Sequence, residues 1–191
     1  MSLATLDSQV EGLRKQAATI IERGRSFHAT VTADRALTDI GKREKLDGER
    51  ARIKTQLSDL KERERELVNS KRESIERQLF GLSAAASTDP QQLIAFRDAT
   101  ERATKLGKDS AAAAALLASA TRSGDQTLAA AIAAHALPLT EPLGVVGPKG
   151  WRDIVNDYAE HYPSDGDKLT DLLALHKRQT VNAVFAYMPP F

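Results

Sequence analysis

The stretch Leu46–Leu82, LDGERARIKTQLSDLKERERELVNSKRESIERQLFGL, decides how the rest of the chain is read. It holds no proline, and Leu46, Ile53, Leu57 and Leu60 recur at the spacing that lays a narrow apolar stripe along one side of a helix. Around the stripe run Lys61-Glu62-Arg63-Glu64-Arg65-Glu66 and Lys71-Arg72-Glu73, alternating charges suited to a solvated helix surface. A long helix with so thin a stripe needs another helix to cover it.

The partner lies upstream. Leu3, Leu6, Val10, Leu13, Ala17, Ile20, Gly24, Phe27 and Val31 step by three and four alternately, an a/d pattern held for four heptads. The β-branched run Thr30-Val31-Thr32 and the capping residue Asp34 end this first helix near Val31. The second begins between Asp34 and Asp39, with Leu37 and Ile40 as its first apolar pair. So short a connection predicts an antiparallel coiled-coil hairpin. Gly41 and Gly48 weaken the start of helix 2 by about 1 kcal/mol each.

Beyond Leu60, Glu64 leads to Val68, Ile75, Leu79 and Leu82, a seam displaced from Leu60 and Leu67. A stutter of this kind unwinds a left-handed supercoil locally, and predicts that the helix changes partner there. Helix 1 pairs with Leu46 to Leu60 in this reading. Leu67, Val68, Ile75, Leu79 and Phe80 then lie beyond its reach and form an interaction surface, for the C-terminal region or for a second chain.

After Leu82 the composition changes. Ser83–Asp89 reads as a small-residue linker, and Asp89-Pro90-Gln91-Gln92 as a helix start: a cap, a proline at the first position and a glutamine at the capping-box position. Leu93, Phe96, Ala99, Ala103 and Leu106 form one face, closed by Gly107. Asp109 and Asp125 cap two more helices, separated by Gly124. Pro138–Gly150 reads as a loop. Trp151, Ile154, Val155 and Tyr158 mark another helix stopped by Pro163, and Leu169, Leu172, Leu173 and Leu175 mark a last one opened by Ser164 or Asp165. The fold expected is all-α: a hairpin over 1–82, a linker over 83–89, and over 90–191 a small Ala-rich helical-hairpin domain with an extended aromatic tail. Phe185, Tyr187 and Phe191 are the tail's expected anchors, docked in a groove of that domain or of a neighbouring subunit.

Composition narrows the function. The formal net charge is +1, and the first 80 residues hold 17 Lys/Arg against 14 Asp/Glu, a dense but balanced field that disfavours nucleic acid. There is no cysteine for disulfides or thiolate metal sites. No run approaches the ~20 apolar residues of a membrane span, and the start lacks the pattern of a signal peptide. The expected location is cytoplasmic or within a virion.

Sites of chemistry are sparse. His28, His135, His161 and His176 show no metal-ligand spacing. Gly144–Gly150 lacks the Gly-Lys-Ser/Thr ending of a phosphate loop and the strand before it. Asp153, Asp157 and Glu160 share a helical strip that suits a divalent ion or acid–base work, and equally a solvated face. No catalytic residue, metal or cofactor is assigned.

A resemblance adds a setting. The charged hairpin with Leu37-Thr38-Asp39-Ile40-Gly41-Lys42-Arg43-Glu44-Lys45-Leu46 is followed by Glu76-Arg77-Gln78-Leu79-Phe80-Gly81. Then come an Ala-rich array with Ser123-Gly124-Asp125, a Gly150-Trp151-Arg152-Asp153-Ile154-Val155 helix and an aromatic Pro-Pro ending. This layout resembles small helical proteins encoded among the virion structural genes of actinobacterial tailed phages and prophages, with Pro138–Lys149 as an insertion. It implies a non-catalytic role in head or tail assembly, as scaffold, connector or minor virion component. The partners implied are proteins: further copies of the chain or other virion subunits. A coiled-coil adaptor unrelated to phage is the alternative, and an enzyme built on the Asp153/Asp157/Glu160 strip is a third reading.

Overall fold

The computed structural model describes residues 2–140, 149–178 and 186–190, and among them it is all-α, with no strand. Seven α-helices follow in order: α1 Leu3–Ala33, α2 Asp39–Phe80, α3 Pro90–Lys105, α4 Ser110–Ser123, α5 Gln126–Ala136, α6 Lys149–His161 and α7 Pro163–Arg178. By contacts the chain divides into two units. One takes Met1–Lys71 with Arg178–Phe191, the other Arg72–Lys177.

In the first unit α1 and α2 form an antiparallel hairpin. Ser2 caps α1, its hydroxyl accepting the Thr5 amide at 3.2 Å. Asp34 does not open the second helix. Its carboxylate accepts the Ala36 amide at 2.9 Å, an Asx turn that reverses the chain, and Thr38 caps α2 through the Gly41 amide. Lys42 Nζ closes the turn on the Thr32 carbonyl at 2.9 Å. The alternating stripe faces inward: Leu6, Ala17, Gly24 and Val31 are buried on α1. Ile53, Leu57 and Leu60 are buried on α2, and Leu13, Ile20 and Ile21 pack against the same cluster. Two stripe positions differ from expectation. Phe27 is 36% exposed and Ile40, on the first turn of α2, is 70% exposed.

The register also differs from the expected one. Arg14 stands opposite Glu64 and Thr32 opposite Lys42. On the Arg14–Glu64 register, Glu11 and Val10 of α1 come opposite Leu67 and Val68. Those two residues lie within the span of helix 1. Only the last turns of α2 extend past it.

The unit boundary falls inside α2, between Lys71 and Arg72, and not at the small-residue linker near residue 83. The seam is displaced between Leu60 and Val68, just ahead of this boundary, and Ile75 and Leu79 then fall in the second unit, so one continuous helix belongs to both units in succession. The described C-terminal residues group with the hairpin, not with the Ala-rich array to which composition assigned them.

In the second unit α5 packs on α3, α4 and α6, and α4 packs on α6. The joints follow the capping residues. Asp89, Asp109 and Asp125 accept the amides of Gln91, Ala112 and Leu128, each at 2.9 Å. Gln92 meets the Asp89 carboxylate through its own side-chain amide, in place of the reciprocal capping-box bond. Gly107 (φ 57°) and Gly124 (φ 72°) take the left-handed conformation that ends α3 and α4. Residues 83–89 hold a short 3-10 turn, Ala86–Thr88, that packs on α3. Pro163, expected only to stop α6, is the first residue of α7.

Small residues set the helix spacing in this unit. Ala113 on α4 and Ala129, Ala133 and Ala136 on α5 are fully buried. A Cβ on Gly150 would meet Ser110 Oγ at 2.7 Å and its Cβ at 3.0 Å, so α6 starts hard against the start of α4. Gly150→Ala should therefore lower stability by ~1–3 kcal/mol through overpacking, although alanine is the better helix former. Ser110→Gly in the same chain should recover most of the loss, read as Tm by circular dichroism. A single variant at least as stable as wild type would contradict the close approach.

Candidate functional site

Glu64 occupies a seam position of α2, between Leu60 and Val68, yet carries a charge and is only 7% exposed. A buried carboxylate must be paired and hydrogen-bonded to be tolerated. Two groups do this. Arg14 on α1 forks onto it, Nη2 to Oε1 at 2.6 Å and Nε to Oε2 at 3.1 Å. The Tyr187 hydroxyl donates to Oε2 at 2.5 Å from the C-terminal segment. Bidentate, charge-assisted bonds of this kind are among the strongest side chains make.

The floor of the site is apolar. Ala17, Ile53, Leu57, Leu60 and the ring of Tyr187 form one buried cluster, with Leu13, Ile20, Ile21 and Ala186 packed against it. Burial raises the Tyr187 phenol above its ordinary value near 10, and its bond to Glu64 adds to the shift. The hydrogen bond to Glu64 raises the Arg14 guanidinium in turn. Both carboxylate oxygens are occupied and the phenol is held protonated. The arrangement recognises and holds a hydroxyl-bearing side chain.

A second polar group lies in the other unit. Tyr158 is fully buried and donates to Asp165 Oδ2 at 3.0 Å, while Lys168 Nζ reaches Oδ1 at 3.4 Å. Tyr162 stacks on Tyr158 with ring centroids 4.9 Å apart, and Phe80 approaches from the end of α2 at 6.4 Å. Burial is again the largest cause, ahead of Asp165, of a strongly raised phenol. This cluster fixes the α6–α7 corner.

The residues offered as an interaction surface are placed as follows. Val68, Ile75 and Leu79 are buried, and Leu67 is half-buried. Phe80 is half-buried with its ring against Tyr158. Within the single chain these side chains are thus buried or half-buried. Tyr187 is anchored on the α1–α2 hairpin and groups with it, not with the Ala-rich array. Ala186 and Tyr187 are helical or turned, not extended. Phe185 and Phe191 lie outside the described residues, as does the loop over 141–148.

The remaining candidates hold no shared chemistry. Asp153, Asp157 and Glu160 are exposed on the outer side of α6, and among the described residues no group of three or more His, Asp or Glu side chains is placed to hold a metal ion. His135 is structural, bonded to the Gly107 carbonyl at 2.8 Å and set edge-on to Trp151 at 5.7 Å. Among the described residues no helix is long and apolar enough to cross a membrane. No family model matches the chain, and no curated protein or solved structure matches it. The fold and the site together define an all-α protein whose buried polar groups join helices to one another.

The raised phenols give a pH signature. Below about pH 10 Tyr158 and Tyr187 are protonated in both folded and unfolded chains, and their bonds are fully present. Above it the unfolded chain ionises first, so stability falls as pH rises, by up to ~1.4 kcal/mol per pH unit for each tyrosine. Tyr187→Phe should lower stability at neutral pH by ~1.5–3 kcal/mol and remove one tyrosine's share of the alkaline slope. Urea unfolding between pH 7 and pH 11.5 measures both. An alkaline slope equal to that of wild type would contradict the burial of this phenol.

Proposed function

We propose that this chain is a non-catalytic protein–protein interaction and assembly protein, acting as a scaffold, connector or minor structural component of a phage-type virion. The observation that carries the reading is the hairpin. Helices of 31 and 42 residues cover one thin seam between them and leave most of their charged circumference in water. Such an arm supplies surface and reach. On that surface Phe27 and Ile40 stand out as large apolar side chains, and Ile94 on α3 is 66% exposed. Single exposed apolar residues within a charged surface serve as anchors when a partner covers them.

The polar chemistry supports the same reading. The best-organised carboxylate is saturated by Arg14 and Tyr187, and the Asp153/Asp157/Glu160 strip faces solvent. The virion setting rests on the resemblance to phage structural-gene proteins. The adaptor alternative shares the same surfaces and differs in location. Two measurements separate them. In purified particles and assembly intermediates of the encoding phage or prophage, the chain should be present at a fixed copy number. Ile40→Glu should keep the helicity of the isolated chain and weaken its self-association or particle incorporation at least tenfold. Absence from every particle and intermediate would contradict the virion setting, and unchanged association would contradict the role of the hairpin surface.

A further inference from the structure

The Tyr187–Glu64 bond joins side chains 123 positions apart, yet the receiving surface is complete without the tyrosine. Arg14 and Glu64 are already forked together between α1 and α2, and Ala17, Ile53, Leu57 and Leu60 already form the floor. We propose that this groove is an exchangeable receptor site, and that a second copy of the chain inserts its own Ala186–Pro190 segment there when copies are held close together. The proposal deepens the assembly reading, on which its purpose rests, and names the partner as another copy of this chain.

Three features of the contact argue for exchange. First, the empty receptor is unfavourable. With the phenol gone, Glu64 Oε2 keeps only the Arg14 Nε bond, and the apolar floor that the ring covered is laid open to water. The groove is therefore driven to stay occupied, by its own segment or by a neighbour's. Second, the docked segment is small. Tyr187 and Ala186 supply the contact, while Met188 is 62% exposed and Pro189 is exposed. A single buried ring releases quickly compared with a whole helix. Third, Pro189 and Pro190 fix their own backbone, so little order is lost when the segment binds afresh.

The same atoms meet in either arrangement, so the balance is set by concentration. A segment tethered in the same chain competes at an effective concentration on the order of mM. In dilute solution it wins, and the chain is monomeric. Copies packed side by side in an assembly reach the same concentration, and exchange then joins neighbours without any new interface chemistry. The pairing is selective because the groove asks for a hydroxyl donor at the depth of a tyrosine.

The test uses two full-length variants. Tyr187→Ala keeps the receptor and loses the anchor; Glu64→Leu keeps the anchor and loses the receptor. Each alone should sediment as a monomer. Their equimolar mixture, at concentrations on the order of 1 mM, should contain a species of twice the chain mass. Adding Tyr187→Ala to the Glu64→Leu chain should abolish that species. If Glu64→Leu loses helicity by circular dichroism, Glu64→Met, of similar length and without a carboxylate to receive the hydroxyl, takes its place. A mixture that stays monomeric overturns the proposal, and so does a dimer formed equally by either variant alone. Neither of those results touches the presence of the chain in particles, so failure of the exchange is distinguishable from failure of the assembly reading.

Discussion

A carboxylate placed in the seam of a two-helix arm cannot stay there unpaired. Glu64 is held at a position where leucine or isoleucine would pack without penalty. Charge burial at such a site is often no more stabilising than a hydrophobic residue of the same size. What the charge adds is selectivity. Only a register that brings Arg14 opposite Glu64 satisfies both groups, so the pair fixes how α1 slides along α2. Apolar stripes alone tolerate slippage by a heptad, and this pair does not.

The same requirement brings in the C-terminal segment. One fork from Arg14 engages both carboxylate oxygens, and Oε2 accepts a further donor, which Tyr187 supplies. The first unit thus combines sequence from both ends of the chain around one side chain. The second unit is organised differently. Its helices are short, and their spacing comes from alanine and from the Gly150–Ser110 approach. Their turns come from aspartate caps and left-handed glycines. Asp165, the buried carboxylate among its described residues, is again answered by a tyrosine hydroxyl, from Tyr158.

Much of this was legible in the sequence, for a physical reason. Helix periodicity and caps are local, so the 3/4 stepping of Leu3 to Val31 and the caps at Asp89, Asp109 and Asp125 could be read from neighbours alone. The displacement of the seam between Leu60 and Val68 falls shortly before the place where α2 passes from one unit to the other. Register and long-range pairing are not local. Nothing near Arg14 distinguishes it from the other basic residues of α1, and its role emerges only when Glu64 comes opposite. Glu64 itself was a visible anomaly, a charge in an apolar row. Tyr187 was legible as an anchor by its aromatic character. Its seat was not, because a segment assigned by composition to the nearest domain instead adds its hydroxyl to the Arg14-paired carboxylate of Glu64, 123 positions away.

The claim that Glu64 binds the C-terminal segment to the hairpin is tested most directly by a double-mutant cycle. Stability is measured for wild type, Tyr187→Phe, Glu64→Leu and the double variant, by urea unfolding at neutral pH. Removing the hydroxyl should matter only while the carboxylate is there to receive it. The account predicts a coupling of ~1 kcal/mol or more, with Tyr187→Phe nearly neutral in the Glu64→Leu background. Additivity within ~0.3–0.5 kcal/mol would contradict it.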